Sequence, residues 1–148
     1  MSFDGFDESE FIMSEAGIGK LYGGRVWEDG VPEGVTIPKK NGVIQPYITT
    51  SFPSPIALKQ GRGMAVSEAR QPHLMSFTVY VHAGTTDDLK AATKAVVRKL
   101  VGLEPSTSGN AGEIQLRGGS ASTTKDAKGA VLRMTRAILF QVRIGLGS

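Results

Sequence analysis

Ala130-Val-Leu-Arg-Met-Thr-Arg-Ala-Ile-Leu-Phe-Gln-Val-Arg-Ile-Gly145 decides the fold. Its even positions are Leu132, Met134, Arg136, Ile138, Phe140, Val142 and Ile144; its odd positions are Val131, Arg133, Thr135, Ala137, Leu139, Gln141 and Arg143. A strand sends alternate side chains to opposite faces, so this stretch makes one mostly apolar face and one mixed, basic face. A helix would scatter the same residues around its circumference. The stretch is therefore expected to be a long central strand of an antiparallel or mixed sheet.

Working outward, Asp126-Ala-Lys-Gly129 reads as a turn that folds a polar strand, Ser120–Lys125, onto this one as a hairpin. Glu113–Arg117 reads as a short extended piece that continues into that strand through Gly118-Gly119, which allows a kink. Met75, Phe77, Val79, Val81 and Ala83 alternate with Ser76, Thr78, Tyr80 and His82, the cleanest period-two segment in the chain. Thr85 then caps a helix with Asp87 and Asp88 in its first turn, where the helix dipole favours acids. Leu89, Ala92, Val96 and Leu100 fall at helical spacing, predicting an amphipathic helix over about 86–101.

Nearer the N-terminus, Ser9 reads as the cap of a short helix through Phe11, Ile12 and Ala16, stopped by Gly17 and Gly19. Arg25–Glu28 and Tyr47–Phe52 read as strands, and Asn41-Gly42 as a tight hairpin turn. Residues 53–73 form a long connection with an extra edge strand expected at Met64–Val66. Residues 1–8 read as a mobile arm and 9–148 as one domain. The expected fold is α+β: a single mixed or antiparallel sheet of about four to six strands, with the N-terminal helix and the 86–101 helix packed on it.

Composition narrows the chemistry. The chain has 148 residues and no cysteine, which excludes disulfides, thiol nucleophiles and cysteine metal sites. Absence of cysteine is consistent with a reducing cytoplasm. No apolar run approaches the length that crosses a bilayer, and the N-terminus lacks the layout of a secretory signal. His73 and His82 without a spaced carboxylate cluster make no metal site. Gly17-Ile-Gly-Lys20 resembles a phosphate loop only superficially, since Ser14 and Leu21 stand where a glycine and a hydroxyl residue are needed. A glycine helix stop is the better reading. No nucleophile elbow or acid–base pair is present, so neither enzymatic activity nor a cofactor is expected.

Charge is unevenly placed. Residues 1–33 hold eight acids and two bases, and the remainder six acids and fifteen bases, so −6 faces +9 within an overall +3. That asymmetry suits head-to-tail association or contact with a polyanion. Arg117, Lys125, Lys128, Arg133 and Arg143 crowd the last strands. They form either a solvated basic face or, in a ring, the lining of a channel that meets nucleic acid electrostatically. Arg136 sits among apolar neighbours; it is either buried with a carboxylate or marks where that face meets another subunit. Phe3, Phe6, Trp27 and Leu146 lie in segments too short or terminal to join the main core, and read as satellite packing or as an intersubunit surface.

The ordered segments resemble a known family. The N-terminal helix leads to Val26-Trp-Glu-Asp-Gly-Val-Pro-Glu-Gly34, then Gln45-Pro-Tyr-Ile-Thr-Thr-Ser-Phe52, the Phe77–Val81 alternation, the cationic helix to Leu103-Glu-Pro105, and a hairpin ending in Arg136 to Phe140. From about residue 9 to 146 this order is similar to the tail terminator, or tail completion, proteins of long-tailed bacteriophages. The 35–45 loop, the acidic arm and the 53–73 connection lie outside the resemblance. It implies a virion subunit in a hexameric ring on the tail tube, with the tail tube protein and the head connector or head closure protein as partners and DNA passing through the lumen. Under it, Arg117, Lys125, Lys128, Arg133 and Arg143 are candidates to face the lumen, and Phe3, Phe6, Trp27 and Arg136 to form the subunit interface. Another neck component, such as a head closure or head–tail joining protein, and a non-specific nucleic-acid-binding accessory protein are the alternatives.

Overall fold

The computed structural model of the chain describes residues 6–53, 56–57, 73–105, 111–125, 128–129 and 131–144. The expected strand at Met64–Val66, Phe3 and Leu146 lie outside the described residues. The described elements are helices α1 (Phe6–Met13) and α2 (Thr86–Leu100), a short 3-10 helix (Leu21–Gly24), and strands β1 (Val26–Glu28), β2 (Lys39–Lys40), β3 (Val43–Ile44), β4 (Tyr47–Ser51), β5 (Ile56–Ala57), β6 (His73–Ala83), β7 (Gln115–Lys125) and β8 (Val131–Ile144).

The main sheet has six strands in the order β1-β4-β6-β8-β7, with β5 also paired to β6. Only β1 with β4 is parallel; β4, β5 and β8 run antiparallel to β6, and β7 runs antiparallel to β8. The expected mixed α+β sheet is what the structure shows. Strand β6 is its spine, because its alternating residues satisfy both flanks at once. Phe77 pairs with Phe140 and Val79 with Ile138 in register, so the apolar residues of both strands share one face. On that face Phe77 stacks on Phe140 and on Phe52, each at 5.3 Å between ring centroids.

Both helices cover this face. Leu89, Ala92, Val96 and Leu100 of α2 are buried in the core, as their spacing predicts. The Thr85 hydroxyl accepts from the Asp88 backbone N–H at 3.2 Å, closing the first turn. Helix α1 buries Ile12 in the same core, and its Met13 sulfur accepts from the Thr50 hydroxyl at 3.4 Å. It begins at Phe6, ahead of the expected cap at Ser9, which lies inside the helix. Its end is the expected glycine stop. The Ile18 N–H reaches back to the Ile12 carbonyl at 2.8 Å, and a Cβ on Gly17 would collide with that carbonyl. Lys20 pairs with Glu15 at 2.8 Å on the surface.

Asn41 and Gly42, both at positive φ (53° and 77°), form the two-residue turn between β2 and β3. The irregularity that Gly118-Gly119 allows is a β-bulge between Leu116 and Gly118, where Gly118 takes φ 144°, and β7 continues through it.

Candidate assembly surfaces

Two surfaces of the sheet carry side chains that no helix covers among the described residues. The first is the face opposite α1 and α2. Pairing sends Tyr47 and Thr49 of β4, Thr78, Tyr80 and His82 of β6, and the odd-numbered residues of β8 to this side. Its centre is a network around His82. The Thr49 hydroxyl lies 2.9 Å from His82 Nε2, and the Thr135 hydroxyl 2.9 Å from Nδ1. A neutral imidazole donates to one hydroxyl and accepts from the other. Tyr47 stacks on the ring at 4.4 Å, and Arg133 Nη1 donates to the Tyr47 hydroxyl at 3.1 Å. Burial first, and the Arg133 charge second, lower the His82 pKa from 6.5 to about 4. The ring is therefore uncharged at neutral pH. The buried Arg133 Nε has no acceptor among the described residues.

Farther along, Arg117 bridges two glutamines, Nε donating to Gln141 Oε1 at 2.8 Å and Nη2 to Gln115 Oε1 at 2.9 Å. Gln141 Nε2 in turn donates to the Ser76 hydroxyl at 3.2 Å. Arg117, Arg133 and Arg143 thus share this open face. Arg133 and Arg143 are ten residues apart on one strand, about 33 Å. Lys125 and Lys128 stand instead at the hairpin tip. The tip overhangs the sheet, because β6 stops pairing at Ala83–Met134 while β8 begins at Val131.

The second surface is the helix-side face of β7. Helix α2 covers β6 and the later half of β8, and β7 is exposed at every residue. Small side chains there (Ala121 and Thr123, beside Gly119) leave a groove against α2. One end, a cavity of about 330 Å³, lies between Val97, Leu116, Ile138 and Arg136. The other, about 260 Å³, lies between Leu89, Lys90, Met134 and Arg136. Thr93, Ala121 and Arg136 line both, so the groove is continuous.

This placement corrects one option for Arg136. It is on the apolar face, as the alternation requires, but it is exposed and is not buried with a carboxylate. Trp27 is half-buried on β1 and lies 6.2 Å from the Tyr47 ring, on the open face and at the opposite edge from Arg136. The two expected interface residues are therefore not brought together. Phe6 opens α1. Sequence reasoning missed the His82 network, whose members sit on three strands, and the groove, whose only sequence signal is the run of small residues from Gly118 to Thr123. No group of three or more metal-ligating side chains converges among the described residues.

No protein-family model and no curated protein sequence matches the chain. The fold is nevertheless similar to a solved one. A chain of a structure described as the virion of a native gene transfer agent particle superposes with a TM-score of 0.56 at 19% identity, over 93% of this chain and 90% of that one.

Proposed function

We propose that this chain is a non-enzymatic structural subunit of a phage-like virion, and within it the tail terminator. Copies close into a hexameric ring on the tail tube, end its polymerisation and present a surface to the head connector. The observation that carries the reading is the likeness to a virion chain over nearly the full length of both molecules. The architecture supports it. One sheet face is spent on a core, while the other face and one edge are left to neighbours, as a ring subunit needs. Arg117, Arg133 and Arg143 on the open face would meet passing DNA through charge alone, without base readout.

The test is the purified protein, sized alone and imaged with tail tube protein. Closed rings that cap tubes and limit their length support the reading. Binding to heads with no effect on tubes would indicate a different neck component. A persistent monomer that never caps tubes overturns it.

A further inference from the structure

We infer that the turn Pro32-Glu-Gly-Val35 of one copy docks in the groove between α2 and β7 of the next, with Val35 in the apolar end of the groove and Glu33 against Arg136. The inference rests on the self-association proposed above and names the two surfaces that make it.

The first argument is charge. The stretch from Glu28 to Val35 carries Glu28, Asp29 and Glu33, all exposed, and no base. Lys90 and Arg136 line the groove, both exposed, and no acid lines it. Among the described residues neither set forms an ion pair within its own chain. The acidic stretch leaves β1, which ends the sheet on one side, and the groove flanks β7, which ends it on the other. Both ends of the connection are held on the β1–β4 side. The Asp29 N–H donates to the Thr50 carbonyl at 2.7 Å, and the Gln45 N–H, just ahead of β4, donates to the Pro38 carbonyl at 2.9 Å. Opposite charge associated with opposite edges of one sheet is the arrangement of a head-to-tail contact, in which each copy offers a different surface to each neighbour.

The second argument is shape. Val97, Leu116, Ile138 and Arg136 border the cavity of about 330 Å³ at one end of the groove. Val35 is 43% exposed and Leu116 47%. Seating Val35 in that cavity removes both from water. Glu33 and Val35 flank Gly34, so one turn presents a carboxylate and an apolar side chain together. The cavity offers the matching pair, a guanidinium beside apolar walls.

The third argument is preorganisation. The Val35 N–H donates to the Pro32 carbonyl at 3.2 Å, and Gly34 takes φ 84° at the third position, as a type II turn requires. The turn is set before any contact is made, so little ordering is left to oppose docking.

Charge reversal tests the pairing. Arg136→Glu and Glu33→Arg both change exposed residues, and both proteins should melt like the native chain. Each alone should self-associate about tenfold or more weakly in sedimentation, because like charges then face one another. Mixing the two full-length variants should restore assembly, since each supplies the charge the other lacks. Cross-linking gives a second readout that reverses no charge, and the cysteine-free sequence makes it clean. Val35→Cys mixed with Leu116→Cys and treated with a short bis-maleimide should give about tenfold more covalent dimer than Val35→Cys mixed with Thr124→Cys, which faces the other side of β7. Rings that ignore both charge reversals, or that are lost and not restored by mixing, overturn this inference and leave the ring reading standing. Equal cross-linking of Leu116→Cys and Thr124→Cys does the same. Native protein that is monomeric at every concentration overturns both. A fast-migrating internal link in the Val35→Cys/Leu116→Cys double variant assigns the turn to its own groove and overturns the inference.

Discussion

Strands β6 and β7 lie on either side of β8, each 11 residues long and each antiparallel to it, yet they are built for different surroundings. β6 alternates large apolar residues with polar ones, and its apolar set is fully buried under the helices. β7 carries Gly118, Gly119, Ser120, Ala121 and Ser122 in succession and is exposed throughout. The same ladder of backbone hydrogen bonds holds both. The difference lies in what the side chains do: β6 supplies the folding free energy, and β7 supplies a surface. A long, exposed edge strand is a hazard to a solitary protein. Here it is bulged near Leu116 and ends in Lys125, which discourages indiscriminate pairing while leaving the groove beside it open.

That contrast can be broken experimentally, and the largest effect should come from β6. Phe77→Ala removes the ring between Phe52 and Phe140 and should cost about 3–5 kcal/mol. In a chain of this size the melting temperature should fall by about 10 °C or more in a thermal melt.

Acid should have the next largest effect, through the open face of the same strand. The folded pKa of His82 is lowered from 6.5 to about 4. Above pH 6.5 the ring is neutral in both states and its contribution is complete. As pH falls below 6.5 the unfolded chain takes up the proton first, so stability declines until about pH 4 and then levels. The loss is at most about 3 kcal/mol, since each pKa unit corresponds to about 1.4 kcal/mol. Denaturant titrations between pH 7 and 5 should show the slope in the native protein and not in His82→Asn.

Thr85→Ala should cost about 1 kcal/mol by uncapping α2, read as a small shift of the denaturation midpoint. Ala121→Glu in β7 should change the stability of the subunit by no more than about 0.5 kcal/mol. It should nonetheless abolish self-association, because the new carboxylate fills the groove and neutralises Arg136. A stability loss there as large as that of Phe77→Ala would erase the distinction between the two strands.

The same contrast explains what was legible in the sequence. The Met75–Ala83 and Leu132–Ile144 alternations gave the spine of the sheet, and Thr85-Thr86-Asp87-Asp88 marked the start of α2 to the residue. In each case the local pattern and the tertiary environment agree. Asn41-Gly42 and Gly17 were legible for the same reason, since each conformation is one that few other residues adopt. In β7, Gly118-Gly119 has no side chains to register a strand, so its sequence allows a kink there; pairing with β8 makes the strand continuous across the bulge. The start of α1 was misplaced because Ser9 has the chemistry of a cap, while its burial is decided by the fold. Arg136 shows the limit most clearly. Alternation places it on the apolar face, but whether a helix reaches that far along β8 depends on where α2 lies.

A ring subunit is incomplete alone, so the assembled mass of this protein tests the proposed role most directly. Native mass spectrometry of the purified full chain, over a range of concentrations, should give a closed multiple of the 15.7 kDa subunit that collapses toward monomer in Ala121→Glu. A native chain that stays at 15.7 kDa throughout would contradict the account.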